Sequence, residues 1–300
     1  MTDCYAVIKR EVGQRETTDN FIGIRRMCEL LNVSKSGYYE WVDREISGTC
    51  ARQMSLTTLI TTIFVGSRRT YGYRRIAAEL GRRGRPTGLE LTRKLMRAAG
   101  LVPQQVRAYK RTTVRDSDEI STPDLVRRDF TSPVPGQRLV GDITYIRVGS
   151  TFGYLATVID CFSKAVIGWA FEDHMRVSLP IQALDMAARN HVLERDCIFH
   201  SDRGTQYNSR AFRAALRKYG MRGSMGRTGV CWDNSMAESF FASLKNELTH
   251  HAHYETFDDA ASAIANYIEI FYNRIRLHSA LGYRTPNEIH DTFLNTQTAA

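Results

Sequence analysis

Hydrophobic positions change their period twice along the chain. Three runs, Arg138–Val148 (RLVGDITYIRV), Tyr154–Phe162 (YLATVIDCF) and Ala165–Phe171 (AVIGWAF), are rich in Val, Ile, Thr and aromatics and are separated by short turns. Such runs predict three consecutive antiparallel strands. Beyond them the apolar spacing alternates between helix-like and strand-like. Helices are expected over Ser178–His191, Ser209–Tyr219, Ser235–Leu248 and Thr256–Tyr272, with short strands at Cys197–Ser201 and Arg222–Met225. A meander followed by alternating helix and strand predicts an α/β fold, a mixed sheet with helices on both faces.

The preceding residues read as helical throughout. In Phe21–Trp41, Ile24, Met27, Cys28, Leu30 and Leu31 recur at helical spacing before a break at Asn32-Val33-Ser34, where Ser34 is placed to cap a second helix. That is the outline of a helix-turn-helix. Leu56–Phe64, Tyr73–Leu80 and Leu89–Ala99 form a second such group, punctuated by Gly81, Gly84, Pro86 and Gly88 and stopped at Gly100. The run 107–136, with Pro123, Pro133 and Pro135, reads as a linker. The expected organisation is a helix-turn-helix segment over 1–50, a helical domain over 51–110, a linker over 111–134, the α/β core over 135–290 and a tail without structure over 291–300.

Composition narrows the partner. The 300 residues are 43% hydrophobic and 24% charged, which excludes a disordered chain, and the formal charge is +9. All of that excess lies in residues 1–120, with 22 basic and 13 acidic side chains; the remainder carries 19 of each. Phe64–Arg111 alone holds 13 basic residues against Glu79 and Glu90. A polyanion is expected, because each Lys or Arg that neutralises a phosphate releases a counterion. A membrane is not: MTDCYAVIKR has no apolar stretch of leader length, and the most apolar region, 152–171, is interrupted by Asp160 and Lys164. Candidate nucleic-acid contacts are Arg68, Arg69, Arg74, Arg75, Arg82, Arg83, Arg85, Arg93, Lys94 and Arg97, with Arg203 and Lys245 further on. On the third helix of this group, Arg93, Lys94 and Arg97 would face DNA while Leu91, Leu95 and Met96 pack inward. The alternative for such a run is a solvated helical face. Cysteines at 4, 28, 50, 161, 197 and 231 form no C-x-x-C pair, so reduced thiols and a cytoplasmic location are expected. His250, His251 and His253 are explained as well by exposure at a helix end as by a metal.

Three carboxylates stand out by position. Asp142 lies inside an apolar strand, where a charge is costly unless paired or metal-bound. Asp202 opens the turn Asp202-Arg203-Gly204-Thr205 at the carboxyl end of a strand, and Glu238 is in the first turn of a helix. Carried on two strands and a helix, they can gather two hard divalent cations, Mg²⁺ or Mn²⁺, for in-line phosphoryl transfer without a covalent enzyme intermediate. Each also has a structural alternative: a satisfied strand aspartate, a turn cap at Asp202, and a Ser235-x-x-Glu238 capping box. Lys245, two turns after Glu238, could hold a phosphate or pair with Glu247.

Asp142 in GDITYI, Asp202 in HSDRGTQY and Glu238 in CWDNSMAESFFASLKNEL, with 35 residues between the last two, resemble the DDE core of bacterial insertion-sequence transposases. The nearest pattern is the OrfB product of the insertion-sequence-three family, relatives of retroviral integrases. Ser34-Lys35-Ser36-Gly37-Tyr38-Tyr39 and Arg69-Thr70-Tyr71-Gly72-Tyr73-Arg74-Arg75-Ile76 resemble its N-terminal motifs. Tyr272-Asn273-Arg274 with Arg276-Leu277-His278-Ser279-Ala280-Leu281-Gly282-Tyr283 resembles its C-terminal signature, so the likeness runs from about residue 20 to 290. Leu139 stands where the family usually has tryptophan.

The resemblance implies a ribonuclease H-like core, with Asp142, Asp202 and Glu238 as catalytic metal ligands, two ions per site, and Lys245 as the family's following basic residue. It further implies strand cleavage at terminal inverted repeats, then attack of the freed 3′-hydroxyl on target DNA by a homo-oligomer at the nucleoid. Sustained heptads are missing, so an OrfA partner or fusion is expected to supply part of end recognition. The readings that compete are a same-fold nuclease that cleaves without joining and a transposase-derived DNA-binding protein without catalysis.

Overall fold

The computed structural model describes residues 2–13, 22–44, 47–104, 122–226 and 234–298. Arg107, Lys110, Arg111, the expected linker up to residue 121 and the residues Cys231-Trp232-Asp233 lie outside the described residues. Two compact units divide within one helix, Met1–Thr58 and Leu59–Ala300.

In the first unit, α1 (Thr2–Gly13), α2 (Ile24–Leu30) and α3 (Lys35–Asp43) pack around Tyr5, Ile8, Met27, Cys28 and Tyr38. The break between α2 and α3 forms as the sequence indicates. Asn32 turns the chain with φ 50°, and the Ser34 hydroxyl accepts the Gly37 amide at 3.2 Å. α1 was not expected from the pattern of apolar positions; it buries Ile8 completely and brings Tyr5 against Trp41.

The second unit begins within α4 (Gly48–Gly66) and continues through α5 (Tyr73–Arg82) and α6 (Leu89–Ala98). Ile76 and Leu80 of α5 and Leu95 and Met96 of α6 are buried. A five-stranded sheet follows: β1 (Arg138–Val148), β2 (Thr151–Asp160), β3 (Val166–Glu172), β4 (Ile198–Ser201) and β5 (Arg222–Met225), in the order β3-β2-β1-β4-β5. The β1-β2-β3 meander is antiparallel, while β4 and β5 run parallel to β1. β2 starts three residues before its expected first residue because a two-residue turn, Gly149-Ser150, pairs Val148 with Thr151.

Alternation along the strands gives each sheet face its own core. Val140, Ile146, Leu155 and Ile159 meet Phe240, Ile264, Tyr267 and Phe271 from α10 (Ser235–Leu244) and from α11 (Phe257–Ala265) with its continuation. Leu139, Val158, Ile167 and Phe199 meet α7 (Ser178–Asn190) and α9 (Arg210–Lys218). Between β4 and α9 lies the single-turn α8 (Thr205–Asn208). Both late helices widen into π turns, Lys245–Thr249 after α10 and Asn266–Tyr272 after α11. This mixed sheet with helices on both faces is a ribonuclease H-like arrangement, preceded by helical segments.

One expectation needs correction. The tail is helical, as α12 (Pro286–Thr298), and its start is a capping box that the sequence spells as Thr285-Pro286-Asn287-Glu288. The Thr285 amide donates to Glu288 Oε2 at 2.8 Å and the Glu288 amide to Thr285 Oγ1 at 3.2 Å, with Pro286 at the position where a missing N–H costs nothing. Hydrogen bonds tie the α5 and α6 pair to the elements around the sheet. The Tyr71 hydroxyl donates to the Ile275 carbonyl and accepts the Leu277 amide, both at 2.8 Å, and Arg82 pairs with Glu288, which binds the helices into the same unit.

Candidate active site

Asp142 and Asp202 are placed by strand register. β1 and β4 run side by side with Gly141 opposite Ser201, so each aspartate follows the last paired rung of neighbouring parallel strands. Gly141 is the residue that permits this packing. A Cβ there would stand 2.3 Å from the Phe199 ring, which fills the space beneath β1 and stacks edge-on with Phe212 at 5.2 Å. Asp142 shares its face of β1 with Val140 and Ile146, the face that α10 covers.

Glu238 is carried by the helix that Asn234 ties to β1. α10 starts at Asn234, whose carboxamide nitrogen donates to the Gly141 carbonyl at 3.3 Å, one residue before Asp142. One turn later the Glu238 amide bonds to the Asn234 carbonyl at 3.1 Å. Asn234, rather than Ser235, is therefore the N-cap residue, and the Ser235 capping-box alternative falls away. At Asp202 the turn-cap alternative is real: Oδ1 accepts the Gly204 amide at 3.0 Å. Asp142 Oδ1 accepts the Ile143 amide at 2.8 Å. Asp142 is half-buried, whereas Asp202 and Glu238 are exposed.

Tyr207 links the two aspartates and had no role in the sequence reading, although it closes the motif HSDRGTQY. Its phenol is pushed well above its ordinary pKa, first by complete burial and then by the charges of both Asp142 and Asp202. It stays protonated and forms an apolar floor with Phe199 and Phe212. Among the described residues, Glu172, Asp173 and His174 at the end of β3 bring their ligand atoms within 4.8 Å of one another.

The basic side chains divide into two sets. Arg69, Arg74, Arg85, Lys94 and Arg97 are exposed, and no ion pair joins them to a described residue. Arg93 is exposed but pairs with Glu90 at 2.8 Å, and Arg83 pairs with Glu79 at 2.8 Å. Arg82 bonds Glu288 through both terminal nitrogens. Arg68 bonds Asn266 and lies 4.8 Å from the Phe271 ring centroid, while Arg75, half-buried, faces Glu247 at 3.9 Å. Arg203 donates to the Gly226 carbonyl at 2.8 Å. Lys245 sits 5.0 Å from the Tyr145 ring centroid.

Sequence reasoning assigned no role to the C-terminal signature, and the structure gives it a mechanical one. Asn273 donates to the Val166 carbonyl at 2.9 Å and accepts the Val166 amide at 3.0 Å, mimicking a further strand at the start of β3. Arg276 and Glu247, each 8% exposed in their side chains, form a paired-nitrogen salt bridge at 2.8 Å, and Tyr267 Oη donates to Glu247 at 2.8 Å. Burial alone would lower the Arg276 pKa; the hydrogen bonds and charge of Glu247 more than reverse it, so the guanidinium stays charged. Among the described residues, no helix is long and apolar enough to cross a membrane.

Residues 133–231 and 219–286 match families described as Integrase core domain, and residues 51–109 match an HTH-like domain. The transposase InsF for insertion sequence IS3A of Escherichia coli (strain K12) is 35% identical over 270 residues, 89% of this chain and 94% of that one. An insertion element IS600 uncharacterized 31 kDa protein of Shigella sonnei is 35% identical over 267 residues, 89% and 98% of the two chains. Among solved structures, the HTLV-2 integrase catalytic core domain in complex with magnesium aligns with a TM-score of 0.41 at 18% identity, covering 53% of this chain and 98% of that chain. With an integrase core built on this sheet and 35% identity across nearly the whole length of its relatives, the chain belongs to the IS3 family of insertion-sequence DNA transposases.

Proposed function

We propose that this transposase cleaves a DNA strand at the ends of its element and joins the freed 3′-hydroxyl to a new phosphodiester, with Asp142, Asp202 and Glu238 as its catalytic carboxylates. The observation that carries the reading is the shared rung of β1 and β4, tied through Asn234 to the helix of Glu238. Three independent elements deliver one carboxylate each to one end of the parallel strand pair.

The donor set fits a hard divalent cation such as Mg²⁺ or Mn²⁺, which prefers carboxylate and carbonyl oxygens with waters completing the shell. Two such ions, when bound, would activate the attacking oxygen and offset charge on the leaving one. Asp142 is held in place by the Ile143 amide, and Asp202 keeps Oδ2 for a ligand while Oδ1 holds its own turn. Exposed Asp202 and Glu238 can rotate about their side-chain torsions without disturbing the core. The protonated Tyr207 and the Phe199 ring close the floor and keep water from the sheet interior.

DNA is gripped, on this reading, by the exposed basic side chains of α5 and α6 and their flanking turns, chiefly Arg69, Arg74, Arg85, Lys94 and Arg97. Several copies assembled on the two element ends, with an OrfA partner or fusion, complete it. A pre-nicked terminal inverted-repeat oligonucleotide incubated with the chain, Mg²⁺ and target DNA tests the proposal. A joined product is expected, absent with Asp202→Asn while DNA binding persists. Cleavage without any joined product overturns strand transfer, and full activity of Asp202→Asn overturns the site.

A further inference from the structure

The space beside Asp142 contains two polar atoms that the fold leaves without partners. Thr157 is opposite Asp142 in the β1-β2 register, so both side chains stand on the same face. Its residue is 1% exposed, and its hydroxyl oxygen is buried without a hydrogen-bond partner. Asn234 is 8% exposed, and its carboxamide oxygen is likewise buried and unpartnered.

Which end of the Asn234 amide is oxygen follows from its surroundings. The atom facing the Gly141 carbonyl at 3.3 Å must be a donor, because two acceptors would repel there. The other atom is then the oxygen, fixed in direction by the nitrogen's bond. An amide oxygen buried with no donor is costly, because it gives up its water without a replacement. Natural folds retain such an atom where something else supplies the missing partner. Here it lies at the junction of the strand bearing Asp142 and the helix bearing Glu238.

Resting on the carboxylate site proposed above, we infer that Asn234 is a fourth, neutral oxygen donor to the divalent cation held there. The amide nitrogen fixes α10 to β1, and the amide oxygen faces the ion. Hard cations accept Asn carbonyl oxygens readily, and a neutral donor adds a ligand without adding repulsion among three anions.

The test uses the full chain without DNA and follows the thermal midpoint against MnCl₂ concentration, with EDTA as the metal-free reference. Binding to the folded state raises the midpoint, and the concentration at which it rises reports affinity. Asn234→Ala and Asn234→Asp both lose the bond to Gly141 and should fall in EDTA, Asn234→Asp further because its carboxylate meets the Gly141 carbonyl, so each is compared with its own metal-free midpoint. Only Asn234→Ala should need ~10-fold more Mn²⁺, the scale on which a supporting group at a metal site acts. Asn234→Asp, which keeps an oxygen, should respond at the wild-type concentration or below it. If the two variants require the same increase in Mn²⁺, or neither requires any, Asn234 is structural and the inference fails. Asp142→Asn is the control for the underlying reading: it should remove the Mn²⁺ response altogether, and a response that survives it overturns the carboxylate site rather than the role of Asn234.

Discussion

Two polar clusters in the sheet-bearing unit are built on opposite principles. Around Asp142 the carboxylates are half-buried or exposed, and two neighbouring buried oxygens have no partner. Around Arg276 the charges are buried yet matched: guanidinium to carboxylate through paired nitrogens, tyrosine hydroxyl to the same carboxylate, and Asn273 bonded at both ends of its amide. The second cluster joins α5 and the chain before α12 to the core, whereas the first is the one proposed above to bind a cation. The ion pair and amide of the second cluster saturate one another and act as a latch, although the neighbouring His278 Nε2 is buried without a partner. The same family resemblance singled out both, so a signature alone does not mark which cluster is architectural.

The largest expected effect falls on the unsaturated cluster and should leave stability intact. Asp142→Asn or Glu238→Gln should reduce Mg²⁺-dependent cleavage and joining by ~10³-fold or more, since a bound cation supplies several kcal/mol of charge stabilisation. The metal-free thermal midpoint should stay near that of the parent chain, because Glu238 is exposed and Asp142 only half-buried. A large drop in that midpoint would place these residues with the latch. At the latch the expectation reverses. Arg276→Ala strands the Glu247 carboxylate in a buried site and should cost ~3–5 kcal/mol of stability, read by denaturant unfolding. Should Arg276→Ala unfold like the parent, the cluster is not what holds the C-terminal segment.

How far each cluster was legible beforehand follows from the range of the signals. Strand and helix periodicity is local, so β1 and β5 were bounded correctly and the sheet class followed. Asp142, Asp202 and Glu238 were visible as anomalies, charges at positions where local pattern calls for apolar or capping residues. The latch gave no such signal. Arg75, Glu247 and Arg276 look like ordinary surface charges, and Tyr71 meets Ile275 and Leu277 across some 200 residues of chain, a contact that no short pattern encodes. Asn234 was hidden in the same way, since its importance lies in the Gly141 carbonyl far upstream. By contrast α12 was legible and overlooked: Thr285-Pro286-Asn287-Glu288 carries both a capping box and an N-terminal proline.

A smaller effect tests whether the latch is as dry as its hydrogen bonds suggest. His278 lies against the Tyr272 ring at 4.8 Å. Its pKa is held down to about 3 by burial and by the charges of Arg276 and Arg75. An unfolded histidine titrates near ~6.5, so on acidification the unfolded chain takes up a proton that the folded chain refuses. Stability should therefore be complete above pH ~6.5 and fall as pH is lowered, by up to ~1.4 kcal/mol per unit from this one group. Between pH ~6.5 and ~5, where ordinary carboxylates remain ionised, His278→Gln should flatten the slope of unfolding free energy against pH. An unchanged slope would mean that water already reaches the ring.

The smallest effect per residue is expected on the basic surface, and it resolves the same contrast at the level of single arginines. Arg82 and Arg83 carry the charge density that suggested DNA, yet each already has a carboxylate, Glu288 and Glu79 respectively. A guanidinium engaged in this way must give up one anion to take another, so its net contribution to phosphate binding is small. Arg85, Lys94 and Arg97 are exposed without such a partner among the described residues. Replacing these three by glutamine should lower the magnitude of the log–log salt slope of DNA binding by ~0.9 for each phosphate no longer neutralised, without shifting the thermal midpoint. Replacing Arg82 and Arg83 should do the opposite, lowering the midpoint through loss of the α5 to α12 tie while the slope barely changes. If both sets change the slope equally, internal pairing does not decide which arginines meet DNA, and charge density along the sequence was the better guide.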